Sequence, residues 1–143
     1  MSFREKSAWI SFVVVLVAFG AYFASISVDL RTSMSAGYRG APLLGLVSII
    51  VVVTLIEVAA HIALAVRSPA EARSASDERE RVIALMATRP AFYVLMTGAW
   101  LALGAVALGG GVWVLVQAIL FAVWVAELTR FGMQIYYYRR GLA

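Results

Sequence analysis

The sequence predicts an all-α protein, an integral-membrane bundle of four helices with both ends of the chain on the cytoplasmic side. Three observations predict it. The 143 residues are 63% hydrophobic and only 14% charged, whereas soluble domains carry about 25% charged residues. Apolar runs recur, each close to the roughly 20 residues a helix needs to cross about 30 Å of hydrocarbon. The basic residues fall almost entirely on one side of the crossings. This much apolar surface does not fit inside one soluble core, so lipid is the solvent for much of it. Hydrocarbon offers the backbone no hydrogen-bond partner, which leaves helices or a closed barrel. The runs are continuous rather than alternating, so they are helices.

The first helix is predicted over about 8–28, "AWISFVVVLVAFGAYFASISV". Its basic leader "MSFREK" resembles the start of a signal peptide. The apolar run, however, exceeds the 7–15 residues of a signal core, and no small-x-small cleavage site follows it. It reads as an uncleaved first crossing. A turn-rich connection, "DLRTSMSAGYRGAP", leads to the second helix over about 43–66.

The next connection, "RSPAEARSASDERERVIALMATRP", carries two helix-start signals. Ser68 precedes Pro69 and Glu71, and Asp77 precedes Glu80 by three residues, the spacing of a capping box. Acidic residues in a first turn also suit the helix dipole. From Asp77 onward, Val82, Leu85, Met86 and Arg89 recur at helical spacing. A cytoplasmic amphipathic extension is therefore expected from about 77, running into the third crossing and ending near 108. Pro90 is expected to kink or break it. Only "GGG" separates this helix from the fourth, over about 112–138, so the two are predicted to be antiparallel neighbours.

With four crossings the N-terminus, the second connection and the C-terminus share a side. Arg4, Lys6, Arg67, Arg73, Arg79, Arg81, Arg89, Arg130, Arg139 and Arg140 lie there, against Arg31 and Arg39 opposite. The positive-inside rule then places both termini in the cytoplasm of a bacterial or archaeal plasma membrane. The net charge of +4 fits basic cytoplasmic loops, and nucleic acid is not among the expected partners.

"DERERVIALMATRPAFYVL", with the four-helix pattern and the terminal "YYYRRG", resembles a family of small predicted prokaryotic membrane proteins of unknown function. In that family a "DERD"-like motif precedes the third helix and a tyrosine-arginine-glycine motif ends the last. Its members often occur beside small helix-turn-helix regulators. The resemblance thus implies a membrane partner for a transcription factor and implies no chemistry. It covers the second half of the chain well and the first half mainly by pattern.

The chain has no cysteine and one histidine, His61. Disulfides, thiolate metal sites and thiol nucleophiles are therefore excluded. Glu57 and His61 lie four apart and share a helix face with Thr54. Glu57 sits about nine residues, or roughly 14 Å, from the cytoplasmic end of helix two. On helix four, Gln117, Trp124, Glu127, Phe131 and Gln134 form one stripe, with Arg130 three residues beyond Glu127. Helices two and four run in the same direction, so Glu57, His61, Glu127 and Arg130 are expected to meet in the inner leaflet.

Three readings of that cluster compete: a paired structural network, a proton or cation path, and a metal or haem site built on His61, Glu57 and Glu127. The structural reading is preferred, and neither metal nor cofactor is expected. Gly98, Ala102, Ala105 and Gly109 form a small-residue seam on helix three, suited to close packing against helix four or one, or against a second copy. Trp9, Trp113 and Tyr136, Tyr137 and Tyr138 suit aromatic belts at the interfaces. With Arg139 and Arg140 the tyrosines read as an interfacial anchor.

No phosphate loop, serine-histidine-acid arrangement or paired-histidine motif occurs, so the protein reads as a non-enzyme. The expected function is that of a small inner-membrane partner of a cytoplasmic regulator or larger membrane complex. Asp77, Glu78, Arg79, Glu80, Arg81 and Arg89 form its docking face, joined by Arg139 and Arg140. The alternatives are a small oligomeric proton-linked transporter or channel, and a haem- or metal-binding bundle. The expected partners are the bilayer, the regulator or complex, and further copies of the chain.

Overall fold

A computed structural model describes residues 3–33, 41–67 and 78–140, all helical apart from one tight turn. The helices are α1 (Phe3–Ser33), α2 (Ala41–Arg67), α3 (Glu78–Ala107) and α4 (Val112–Arg140). Each is long and apolar enough to cross a membrane. The start signals expected at Ser68–Glu71 and at Asp77 lie outside the described residues. The helices hold 27 to 31 residues, which at 1.5 Å per residue makes them about 40–46 Å long. That exceeds the roughly 30 Å of hydrocarbon, so charged ends extend beyond it.

α3 runs unbroken through Pro90. Proline lacks the N–H that would bond the carbonyl four residues back, a defect that membrane helices tolerate when neighbours compensate. α3 then ends in a defined way. The Gly110 N–H donates to the Ala105 carbonyl and the Gly109 N–H to the Val106 carbonyl, both at 2.9 Å. This is the Schellman pattern, and Gly109 supplies the left-handed backbone it requires, at φ 96°. The Gly111 carbonyl accepts from Val114 and Leu115, so α4 begins at once.

The hairpin this turn creates is the most extensively packed pair in the molecule; α1 lies on α4, and α2 lies on α1. The α3 stripe that faces inward contains Ile83, Ala87, Ala91 and Ala102, and α4 answers with Ala122, Ala126 and Ile135. A Cβ placed on Gly98 would lie 2.4 Å from the Ala122 Cβ. The two backbones therefore approach as closely as glycine allows, which gains van der Waals contact where lipid supplies no hydrophobic drive between helices. Of the predicted seam, Gly98 and Ala102 serve this contact, while Gly109 serves the turn. Val82 and Leu85, which recur at helical spacing in the sequence, look outward, and Ile83 and Ala87 look in. Alanine at the contact level lets α3 approach α4 where a larger side chain would hold it off.

The α1–α4 contact is aromatic. Phe23, Phe121 and Trp124 form a cluster with centroids 5.2–5.5 Å apart. Gly20 faces the Trp124 ring and Gly132 the Phe12 ring, each at a distance where an added Cβ would make ordinary contact. α2 is the outermost helix: only 6% of its apolar window is buried inside the protein. Its Leu55 and Ile62 are more than half exposed, a surface that suits lipid.

The glycine geometry generates an opposed pair of outcomes. Replacing glycine by alanine inside a helix gains about 1 kcal/mol of propensity. At Gly104, where nothing lies within 4 Å of an added Cβ, Gly104→Ala should raise the melting temperature in detergent or leave it unchanged. At Gly98 the clash with Ala122 should dominate, and Gly98→Ala should lower stability by about 1–3 kcal/mol, the usual range for overpacking. Thermal unfolding followed by circular dichroism checks both. Equal shifts would mean that α3 and α4 do not meet at Gly98.

Candidate functional site

The polar residues within the helices fall into separate small groups. On the α1–α2 contact, His61 Nδ1 lies 2.8 Å from the Glu57 carbonyl, and Nε2 lies 3.0 Å from the Ser7 hydroxyl. A carbonyl only accepts, so Nδ1 carries a hydrogen, leaving Nε2 to accept from Ser7. α2 thus bonds to the first turns of α1 through His61. Its Thr54 hydroxyl donates back to the Ile50 carbonyl within the helix. Val53 supplies the buried apolar contact.

On α4, Arg130 donates from Nε at 2.9 Å and from Nη2 at 2.6 Å to Glu127 Oε2. Its guanidinium also lies 4.5 Å from the Phe131 ring centroid. The pair is satisfied within one helix. No described hydrogen bond or ion pair joins Glu57 or His61 to Glu127 or Arg130. The bonds these residues make run within α4, within α2 and between α2 and α1 instead. Counting residues along each helix gives depth but not lateral order.

Higher in the bundle, α1 and α4 exchange polar bonds that hydropathy alone did not reveal. The Gln117 amide donates to the Tyr22 hydroxyl at 2.9 Å, and that hydroxyl donates back to Gln117 Oε1 at 3.3 Å. The Trp124 indole N–H donates to the Val15 carbonyl at 3.0 Å. Gln117 and Trp124 belong to the stripe predicted on α4, and their partners on α1 carried no signal of their own. Two buried side-chain atoms lack a hydrogen-bond partner among the described residues, Trp9 Nε1 and Glu57 Oε1.

An open groove of about 870 Å3 lies beside the α3–α4 contact. Phe23, Leu101, Trp113, Phe121 and Val125 line it, with Tyr93, Thr97 and Gln117 as its polar members. No carboxylate, histidine or basic side chain lines it. Among the described residues, no group of three or more histidines, cysteines or carboxylates is placed to hold a metal ion. His61, Glu57 and Glu127 in particular do not converge.

The charged residues collect at one end of the bundle. Arg4 on α1 pairs with Glu80 on α3 at 2.6 Å, a bond between helices that sequence reading missed. Antiparallel α3 and α4 bring the α3 start beside the α4 end. There the Tyr138 hydroxyl lies within electrostatic reach of Glu80, Arg4, Arg79 and Glu5. Arg139 stacks over Trp9 at 5.3 Å, and Arg140 over Tyr136 at 5.1 Å. Glu80 is thus taken up by α1, while Glu78, Arg79, Arg81 and Arg89 are exposed. Asp77, the remaining residue of the expected docking face, lies outside the described residues. No protein-family model, curated protein or solved structure matches this chain.

The polar inventory separates residues that hold helices together from one that does not. Gln117→Leu should strand the Tyr22 hydroxyl and lower stability, since an orphaned buried polar group costs about 1–3 kcal/mol. Glu57→Leu removes an acceptor that has no partner, and should leave the melting temperature unchanged or higher. Thermal unfolding of both variants in one detergent checks the contrast. A loss on Glu57→Leu as large as that on Gln117→Leu would show that the Glu57 carboxylate is a structural acceptor.

Proposed function

We propose that this chain is a non-enzymatic accessory protein of the inner membrane, with both termini cytoplasmic, that docks a cytoplasmic regulator or a larger membrane complex. The observation that carries this reading is the outward face of α3's first turns. Glu78, Arg81, Leu85 and Arg89 follow one another at helical spacing, and all are exposed. Leu85 is 68% exposed, although the helix has a fully buried stripe on its other side. Counted from Ala107, Arg89 lies about 27 Å along the helix and Arg81 about 39 Å. The face therefore begins near the edge of the roughly 30 Å hydrocarbon layer and runs through the headgroups. A charged stripe with an exposed leucine at that level suits a helix or loop of another protein better than bulk water. The one-sided distribution of basic residues supports the orientation.

A second reading, proton-linked transport, is favoured by one observation: the buried, unpartnered Oε1 of Glu57. Intramembrane carboxylates often serve such paths. Against it stand the absence of any described bond from Glu57 or His61 to Glu127, and a groove that no carboxylate, histidine or basic side chain lines. Proton flux into proteoliposomes above the empty-vesicle background, lost in Glu57→Gln with stability retained, would promote it.

The docking reading is tested in native membranes. Proteins crosslinked to the wild-type chain should be lost from the Arg81→Glu, Leu85→Gln double variant at equal membrane level. Recovery of the same set from both would remove this face as the docking surface. Reporter fusions after Ala143 should register cytoplasm, and a periplasmic signal there would reverse the orientation.

A further inference from the structure

We propose that the charged end of the bundle is a binding site for the phosphate headgroups of anionic phospholipids, formed by Arg79 of α3 with Arg139 and Arg140 of α4. This goes beyond the docking reading: it gives Arg79, Arg139 and Arg140, counted with the docking face by sequence, a lipid ligand instead, and leaves Glu78, Arg81, Leu85 and Arg89 to the protein partner.

The argument starts from helix length. The turn at Leu108–Gly111 carries no charge, and Leu108 and Val112 beside it are 92% and 78% exposed. Such a tip belongs at the edge of the hydrocarbon, not beyond the headgroups. From there α3 and α4, with 30 and 29 residues, extend about 44–45 Å, enough to cross the roughly 30 Å of hydrocarbon and pass through the far headgroup layer. Arg79 lies about 42 Å from the tip along α3, and Arg139 and Arg140 about 40–42 Å along α4. The three arginines therefore share one level, at the outer side of the far headgroup layer, from which their long side chains reach back to the lipid phosphates.

They also share one end of the hairpin. α3 and α4 are packed neighbours joined by a tight turn, which brings the α3 start and the α4 end to the same end. Charge favours an anion. In the first turn and a half of α1 and α3 and the last turn of α4, the basic residues Arg4, Lys6, Arg79, Arg81, Arg139 and Arg140 outnumber Glu5, Glu78 and Glu80. The 2.6 Å pair of Arg4 with Glu80 neutralises one charge of each sign and leaves the excess on the other helix ends. Arg139 and Arg140 each rest on an aromatic ring, Trp9 and Tyr136, and Arg140 stays exposed. Ring stacking holds the side chains at headgroup depth without using their hydrogen-bond donors. Guanidinium groups present paired N–H donors that match a phosphate, and an anionic lipid surface attracts basic residues placed beside it.

The test uses the full chain in nanodiscs of phosphatidylcholine alone or of equal parts phosphatidylcholine and phosphatidylglycerol. Native mass spectrometry reads the lipids that stay bound after release, and thermal unfolding reads stability. The wild type should retain phosphatidylglycerol several-fold over phosphatidylcholine and melt higher in the anionic disc. The triple variant Arg79→Gln, Arg139→Gln, Arg140→Gln should lose both preferences while melting like the wild type in pure phosphatidylcholine. Equal retention of the two lipids by the wild type, or an unchanged preference in the variant, overturns the proposal. Should the variant fail to reconstitute, the wild type alone decides. Its preference must shrink at 1 M salt, where the screening length falls to about 3 Å, and a salt-independent preference overturns the site. Binding of an acidic soluble protein to these arginines in pure phosphatidylcholine discs, with no lipid preference, assigns them to that partner and also overturns it.

Discussion

Gly98 lets the backbones of α3 and α4 come so near that an added Cβ would fall 2.4 Å from that of Ala122, and the remaining helices depend on this contact. In hydrocarbon, apolar side chains gain little by leaving lipid, so helices associate only where surfaces fit closely or polar groups meet. The glycine-alanine contact supplies the fit, and the Schellman turn through Gly109 fixes the register in which it is made. With α3 and α4 joined as a hairpin, α4 offers α1 the opposite face, bearing Trp124, Phe121 and Gln117. α1 in turn offers Ser7 to α2. Support passes from the hairpin outward, and α2, furthest along that sequence, is the least enclosed helix.

α1 is the helix that most of the described interhelical polar bonds share. Tyr22 bonds to Gln117, the Val15 carbonyl to Trp124, Ser7 to His61, and Arg4 to Glu80. Each uses a different level of α1, from the charged end to well within the apolar region. Among the described residues these groups are spent in pairs that pin neighbours. Burial of polar groups in a membrane is expensive unless they are paired, and pairing one neighbour at a time meets that demand.

The four helices and the α3–α4 hairpin were legible in the sequence because they depend on run length and on a glycine turn. The order of packing was not. α2 is apolar on nearly every side, so its hydropathy does not say which face meets protein and which meets lipid. Glu57 and Glu127 were placed together because each lies within the inner part of a helix running in the same direction. The bonds described for their helices run instead from His61 to Ser7 of α1 and from Glu127 to Arg130 within α4, partners that depth along a helix does not encode. The inward face of α3 was not legible for a related reason. Val82 and Leu85 are large apolar residues that a soluble helix would bury, yet both are exposed. Where lipid or a partner covers the outside, closeness of approach decides instead, and Ala87, Ala91 and Gly98 win.

The ion pair at the charged end shows which forces hold α1 in place. Arg4 and Glu80 lie 2.6 Å apart, but their side chains are 46% and 21% exposed. Pairs open to water and salt contribute about 0–1 kcal/mol, too little to seat a helix. The aromatic cluster of Phe23, Phe121 and Trp124, at about 0.5–1.5 kcal/mol per ring pair beyond area burial, exceeds it, and the Trp124 bond to Val15 adds to that. α1 is therefore held by α4, while the Arg4–Glu80 bond sets where its end stands. This leaves the charged end free to respond to its surroundings, because rearranging a weak surface pair there does not disturb the packing that keeps the bundle together.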